Sequence, residues 1–130
     1  MNKILILAIA FFAIQIGSAQ EATNVSNDNV YNTATVDVKP EFPGGIVEFY
    51  KFVQKNYQLP KGEKLSGKVY VTFVIEKDGS VDEIKVLRDL GYGTGNEAIR
   101  VLKLLPKWMP GEQNGQKVRC TYSLPISISS

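Results

Sequence analysis

The sequence contains no histidine and a single cysteine, Cys120. Histidine is the commonest general base and the commonest metal ligand, so its absence removes the usual routes to both kinds of site. One cysteine cannot form a disulfide within the chain. Cys120 also lies on the apolar face of a predicted strand, which is typical of a small buried hydrophobic residue rather than of a nucleophile. We therefore predict no catalytic residue, no metal and no cofactor.

Neither sign of charge is in clear excess, with 15 Lys and Arg residues against 13 Asp and Glu residues among 130. Proteins that bind nucleic acid concentrate basic residues on one face, and no such concentration occurs in the sequence. The acidic residues also lack an arrangement for catalysis, because Asp82 and Glu83 are adjacent in a predicted strand and point to opposite sides. The glycines of 91–95 are not followed by the lysine of a phosphate-binding loop. The sequence therefore favours a protein that binds another protein, without enzyme activity and without nucleic acid.

The one long apolar run lies at the N-terminus. Lys3 precedes an apolar run over 4–14, and small residues follow, which is the arrangement of a secretory signal peptide. A membrane-spanning helix needs about 20 apolar residues, so we predict a signal peptide over 1–19 that is cleaved. The polar stretch over 20–39 is predicted to be a flexible leader, and the folded domain is predicted to cover 40–130.

Five segments of the mature chain show a regular apolar pattern. Apolar residues recur at helical spacing over 46–57 and 94–105, and they alternate over 67–76, 80–88 and 116–129. The first pattern is typical of an amphipathic helix and the second of a strand. The order helix–strand–strand–helix–strand predicts an α+β fold, with two helices packed on one face of a three-stranded antiparallel sheet.

Short motifs predict how these elements begin and connect. Asp78-Gly79 lies between the first two strands and is the strongest short-range signal for a hairpin. The alternation slips by one residue between Val81 and Ile84, which predicts a β-bulge. Thr94 precedes Glu97 by three residues, the spacing of a capping box at the start of a helix.

Trp108 is the only tryptophan, and it lies in a segment that cannot continue a helix. Pro106 ends the second predicted helix, and Pro110 and Gly111 turn the chain towards the last strand. A corner of the fold has few neighbours to supply burial, so a large ring there can cover the helix end and the sheet together. We predict that Trp108 is mostly buried and that Pro110 and Gly111, like Asp78 and Gly79, are structural.

The last strand contains Pro125, which cannot donate a hydrogen bond to a neighbouring strand. Proline in a sheet is confined to positions where that donor is not needed, so we predict that this strand is an edge of the sheet. An exposed edge strand accepts an extended peptide through main-chain hydrogen bonds. The predicted partner-binding residues on its polar face are Lys117, Arg119, Thr121 and Ser123.

Two stretches of the sequence, SGKVYVTFVIEKDGSVDEIKVLRDLG and NEAIRVLKLLPKWMPGEQNGQKVRCTYSLPISI, resemble the C-terminal domain of TonB-family proteins. The similarity covers about residues 40–129, and the segment Phe42-Pro43-Gly44-Gly45 resembles members of the Bacteroidetes type. The matching features include Gly67-Lys68-Val69, Asp78-Gly79, Ala98, Pro106-Lys107-Trp108, Pro110-Gly111, Asn114-Gly115, Val118 and Leu124-Pro125-Ile126.

The resemblance implies a periplasmic domain of a Gram-negative bacterium. Such domains bind the N-terminal box peptide of an outer-membrane receptor by strand addition beside the last strand. Full-length members are anchored in the inner membrane and couple the proton-motive force to uptake across the outer membrane.

This chain departs from that pattern in its predicted signal peptide and short leader. An extended chain spans ~3.3–3.6 Å per residue, so a leader of about twenty residues reaches less than the width of a periplasm. Our first hypothesis is therefore an exported periplasmic domain that binds a receptor peptide. The alternatives are an energy-transducing subunit whose N-terminal segment remains in the inner membrane, and a structural homodimer.

Overall fold

The computed structural model describes residues 29–130. The elements are β1 (Val30–Asn32), α1 (Ile46–Asn56), β2 (Ser66–Ile75), β3 (Val81–Arg88), α2 (Thr94–Leu102), β4 (Gly111–Gln113) and β5 (Gln116–Ser129). The two helices and three long strands are those predicted from the sequence, and β1 and β4 are additional short strands. The predicted signal peptide lies outside the described residues. Within 29–130, no helix has the length and apolar character needed to cross a membrane.

The strands form one sheet in the order β1-β5-β2-β3, with β4 also pairing with β5. β2 is antiparallel to both β3 and β5, whereas β1 is parallel to β5. The predicted α+β class is confirmed, with a five-stranded mixed sheet in place of three antiparallel strands. The flexible leader predicted over 20–39 needs correction at its end, because Val30–Asn32 pairs with β5 and Val38 bridges Glu112.

Both helices pack on the same face of the sheet. α1 buries Phe49 and Val53, and α2 buries Ala98, Val101 and Leu102. These side chains join one apolar core with the inward-facing residues of the two longest strands, which are Val69, Val71, Phe73 and Ile75 of β2 and Leu124, Ile126 and Ile128 of β5. Full burial of a large apolar side chain contributes about 1.5–3 kcal/mol, so this shared core holds the helices to the sheet.

The β2–β3 hairpin has the turn and the bulge that the sequence predicts. Gly79 has a φ of 88°, and Asp78 accepts a hydrogen bond from the Ser80 amide at 2.9 Å. The pairing register shifts between Thr72 and Val74, opposite Glu83, whose φ is 48°. An extra residue on one strand of an antiparallel pair produces this kind of shift, so the predicted bulge is confirmed.

The start of α2 differs from the predicted capping box. Gly93, with a φ of 81°, is the N-cap residue, and Thr94 is the first residue of the helix. The Thr94 hydroxyl donates to the Gly91 carbonyl at 2.7 Å, so it stabilises the preceding loop. The Glu97 carboxylate binds Arg100 instead of closing a capping box. Gly93 adopts its left-handed conformation without steric cost, and the helix begins at Thr94, one residue earlier than a capping box with Thr94 as the N-cap residue predicts.

Trp108 is 3% exposed, which confirms the prediction that it is mostly buried. Its ring lies 5.2–5.8 Å from four other aromatic rings, those of Phe42, Phe49, Phe73 and Tyr122. The Trp108 amide donates to the Gly79 carbonyl at 2.8 Å. A Cβ atom on Gly79 would lie 2.0 Å from the Trp108 carbonyl oxygen, so the hairpin turn packs directly against the corner.

The turn residues after Trp108 have structural roles as well. Gly111 begins β4, and a Cβ atom on it would lie 2.5 Å from the Cys120 sulfur atom. Pro110 immediately precedes this close approach of β4 to β5. Cys120 is fully buried, and burial raises the pKa of its thiol above the usual value. A buried thiol with a raised pKa is unreactive, in line with its predicted role in the core.

Candidate partner-binding edge

Alternate residues of β5 direct their backbone polar groups to opposite sides. The Ser130 amide, just after the strand, donates to Leu65 at 3.0 Å, on the side of β2. The carbonyl of Thr121 accepts from the Thr33 amide at 3.3 Å, and that of Pro125 accepts from the Tyr50 hydroxyl at 3.0 Å. Since the side alternates along a strand, odd-numbered residues of β5 present their N–H and C=O groups away from β2. We call this the outer side of β5.

The first half of the outer side is covered by the chain itself. β4 pairs with Gln116–Val118 of β5, and β1 pairs with Arg119–Thr121. The prediction of a free edge is therefore wrong for Lys117, Arg119 and Thr121. β4 is folded onto β5 by a two-residue turn at Asn114 and Gly115, with φ angles of 53° and 78°. Asn-Gly with two positive φ angles is the usual connection of a tight hairpin.

The second half of the outer side has no neighbouring strand within the described residues. We call Tyr122–Ser129 on this side the open edge. Ser123, Ser127 and Ser129 are exposed, and their outward backbone groups point away from β2. Pro125 lies between Ser123 and Ser127 and has no backbone N–H to donate to a partner strand. Of the four predicted partner-binding residues, the structure therefore places only Ser123 on the open edge.

Pro125 is tolerated in this strand because its missing donor faces outward. Its partner across the sheet is Tyr70, and the pair needs no hydrogen bond from residue 125 to β2. This agrees with the reasoning that proline avoids positions where a ladder donor is required. The Tyr50 hydroxyl of α1 donates to the Pro125 carbonyl at 3.0 Å, a contact that the helical spacing of apolar residues over 46–57 does not indicate. A tyrosine hydroxyl is protonated at neutral pH and can donate, and burial, and secondarily Tyr122, raise the pKa of Tyr50 further.

A groove of about 310 Å³ runs between α1 and the end of β5. Its lining contains no charged residue and consists of Val53, Gln54, Tyr57, Leu59 and the stretch 126–129. Tyr57 fixes one wall, because its hydroxyl donates to the Thr94 carbonyl at 2.7 Å. A strand placed along the open edge would have space in this groove for a side chain on the helical face of the sheet. The uncharged lining suits an apolar or small polar side chain.

Arg119 is held in ion pairs beside the covered half of the strand. Its guanidinium binds Glu76 at 2.7 Å and Glu83 at 2.6 Å, and these contacts raise its pKa. The bulge in β3 brings Glu83 to this position. Carboxylate oxygens of Glu76, Asp82 and Glu83 lie within 4.8 Å of one another, and Arg119 neutralises two of them. Arg119 therefore links β5 to the β2–β3 hairpin, a role that the sequence alone did not indicate.

Residues 59–127, more than half of the chain, match the model of a protein family described as the C-terminal domain of Gram-negative bacterial TonB proteins. Among solved structures, the TonB C-terminal domain of Helicobacter pylori is 22% identical, with a TM-score of 0.49; the similarity covers 65% of this chain and 79% of that one. That of Pseudomonas aeruginosa is also 22% identical, with coverage of 62% and 76% and a TM-score of 0.37. No curated protein matches the chain.

Proposed function

Because the chain belongs to the TonB C-terminal family, we propose that it is a periplasmic protein that binds an extended peptide on the outer side of β5. The partner is the N-terminal box segment of an outer-membrane receptor, and the process served is transport across the outer membrane. Its role is binding, without catalysis and without nucleic acid. The membership implies a TonB-like role in outer-membrane transport, and the open edge supports the binding mode.

The observation that carries this proposal is the row of outward backbone groups on the open edge. Ser123, Ser127 and Ser129 present amide and carbonyl groups to solvent on a strand whose other side is firmly paired with β2. A peptide that adds here gains main-chain hydrogen bonds without any rearrangement of β2. Its alternate side chains would enter the groove beside α1, which supplies selectivity.

Pro125 and Tyr50 limit what can dock on the open edge. A peptide finds no donor at Pro125, and the carbonyl there already accepts the Tyr50 hydroxyl. A second copy of β5 docked in antiparallel manner would meet the same gap on both strands, so the edge is poorly suited to self-association. A receptor peptide avoids this problem if it bonds on either side of the gap.

Backbone NMR tests this assignment directly. Peptides from the mature N-termini of TonB-dependent outer-membrane receptors are titrated into residues 20–130, and the amide shifts are followed. We expect saturating shifts at Ser123, Ser127 and Ser129 and none at Lys85 of β3, on the far side of the sheet. A titration to millimolar peptide that leaves these three amides unmoved contradicts the proposal.

A further inference from the structure

We infer that β1 is an internal competitor that occupies part of the partner-binding strand, so that a partner extends beyond the open edge onto Arg119–Thr121 only by displacing β1. This inference rests on the proposed function. β1 lies on the outer side of β5 at Arg119–Thr121, immediately before the open edge begins. With β1 released, the outer side would offer an acceptor from Arg119 to Ser129 that is interrupted only at Pro125.

Backbone bonds, rather than core burial, hold β1 in place. The Thr33 amide donates to the Thr121 carbonyl at 3.3 Å, and the Thr121 hydroxyl lies 3.5 Å from the Tyr31 carbonyl oxygen. Since the backbone groups of alternate residues face the same neighbouring strand, the Tyr31 N–H points towards β5, as that of Thr33 does. Val30 is 40% exposed, Asn32 is also exposed, and Tyr31 is only partly buried. A strand of three residues held in this way is easily released.

The segment that follows β1 is anchored much more firmly. Val36 is 6% exposed, and Val38 exchanges two hydrogen bonds with Glu112, at 3.0 and 2.9 Å. The Asp37 carboxylate accepts from the Asn114 amide at 2.9 Å. β1 is joined to this anchor by a short turn, in which the Asn32 side chain accepts the Ala34 amide at 2.8 Å.

This arrangement places β1 at a high effective concentration next to its acceptor. A short tether gives effective concentrations of the order of millimolar or higher. A partner strand that extends onto Arg119–Thr121 must compete with β1. The apparent dissociation constant of that partner rises by the reciprocal of the fraction of molecules in which β1 is released. The leader therefore tunes how tightly the domain holds its partner.

A matched pair of proline substitutions in residues 20–130 tests the inference. Tyr31→Pro removes the N–H that faces β5, whereas Val30→Pro removes one that faces away. Without peptide, we expect faster hydrogen exchange of the Thr121 amide in the first variant only. With the N-terminal receptor peptide, we expect Tyr31→Pro to bind about tenfold more tightly than the unsubstituted chain, the change for an edge that is open about a tenth of the time. Val30→Pro is expected to bind as the unsubstituted chain does.

The outcomes separate this inference from the proposed function. Equal peptide affinity in all three proteins overturns the competition and leaves the binding function intact. Unchanged exchange at Thr121 in Tyr31→Pro also overturns it, independently of any peptide. Absence of binding in every variant, including Tyr31→Pro, removes the proposed function and the competition together.

Discussion

At the scale of single residues, Trp108 shows how one side chain can stabilise a corner that lacks regular structure. Its ring contacts residues from the segment before α1, from α1 itself and from two strands. Its burial was predictable from the sequence. The prolines on both sides exclude a helix or a central strand, and a large ring at such a corner can cover the helix end and the sheet together. The four ring partners are distant in sequence, so only the folded chain identifies them.

We expect Trp108→Ala to lower the free energy of unfolding by ~3–5 kcal/mol, since truncation of a buried aromatic residue leaves a cavity. Denaturant unfolding measures the change. Trp108→Phe keeps part of the ring packing and is expected to cost less. Stability retained in Trp108→Ala together with lost peptide binding would reverse its assignment from structure to recognition.

Gly79 is expected to tolerate substitution much less well than Gly62. Both have positive φ angles, 88° and 85°, so alanine at either site costs about 1–2 kcal/mol of backbone strain. Only at Gly79 does a Cβ atom also meet backbone, 2.0 Å from the Trp108 carbonyl oxygen. Gly79→Ala should therefore destabilise the domain more than Gly62→Ala in thermal unfolding. Equal losses would show that the turn and the Trp108 corner are not in contact.

Tyr57 is expected to make stability fall at alkaline pH. Burial, then Glu97 and Asp89, raise its pKa from 10.0 to about 12. The unfolded chain therefore ionises first, so this contribution to stability is complete below pH 10 and is lost as pH rises towards 12. Tyr57→Phe should show a shallower loss of unfolding free energy between pH 9 and 11. Tyr92→Phe, at a residue 64% exposed, serves as the control, and the same slope in both variants would contradict the assignment.

At the scale of elements, the periodic patterns located both helices and the three long strands. The bulge in β3 was also predictable, because one extra residue moves every later side chain to the other face. The capping of α2 was not predictable, because Gly93 in the preceding loop, rather than Thr94, is the N-cap residue. β1 escaped prediction because three residues are too few to show a pattern, and its partner lies about 90 positions further along the chain.

The open edge yields a prediction with an internal control at Ser123. Its hydroxyl lies 3.1 Å from the Thr72 hydroxyl, and both Ser123→Pro and Ser123→Ala remove that contact. Only the proline also removes the outward N–H. We expect Ser123→Pro to weaken receptor-peptide binding roughly threefold to tenfold, the value of one backbone hydrogen bond, while Ser123→Ala binds normally. Calorimetric titration measures both, and equal affinities would place the peptide elsewhere.

At the scale of the whole molecule, the hypothesis of an exported domain predicts the mature N-terminus. Mass spectrometry of the protein from its native host is expected to find Gln20 as the first residue. Intact Met1 in the inner-membrane fraction would support the anchored energy transducer instead.

The hypothesis of a structural homodimer is tested by measuring the solution mass over a concentration series. We expect a monomer because Pro125 and Tyr50 disfavour edge-to-edge pairing.

Local sequence patterns were enough to predict both helices, the three long strands, the hairpin turn, the buried tryptophan and the family, because each depends on neighbouring residues or on a local motif. Which parts of β5 are available to a partner, in contrast, depends on contacts that form only in the folded chain. The alternating pattern predicted a free edge at Lys117, Arg119 and Thr121. In the structure, β4 and β1 cover that half of β5. Pairing between strands that are far apart in sequence depends on the path of the whole folded chain. The residues of β5 alone therefore do not indicate which segments lie beside it.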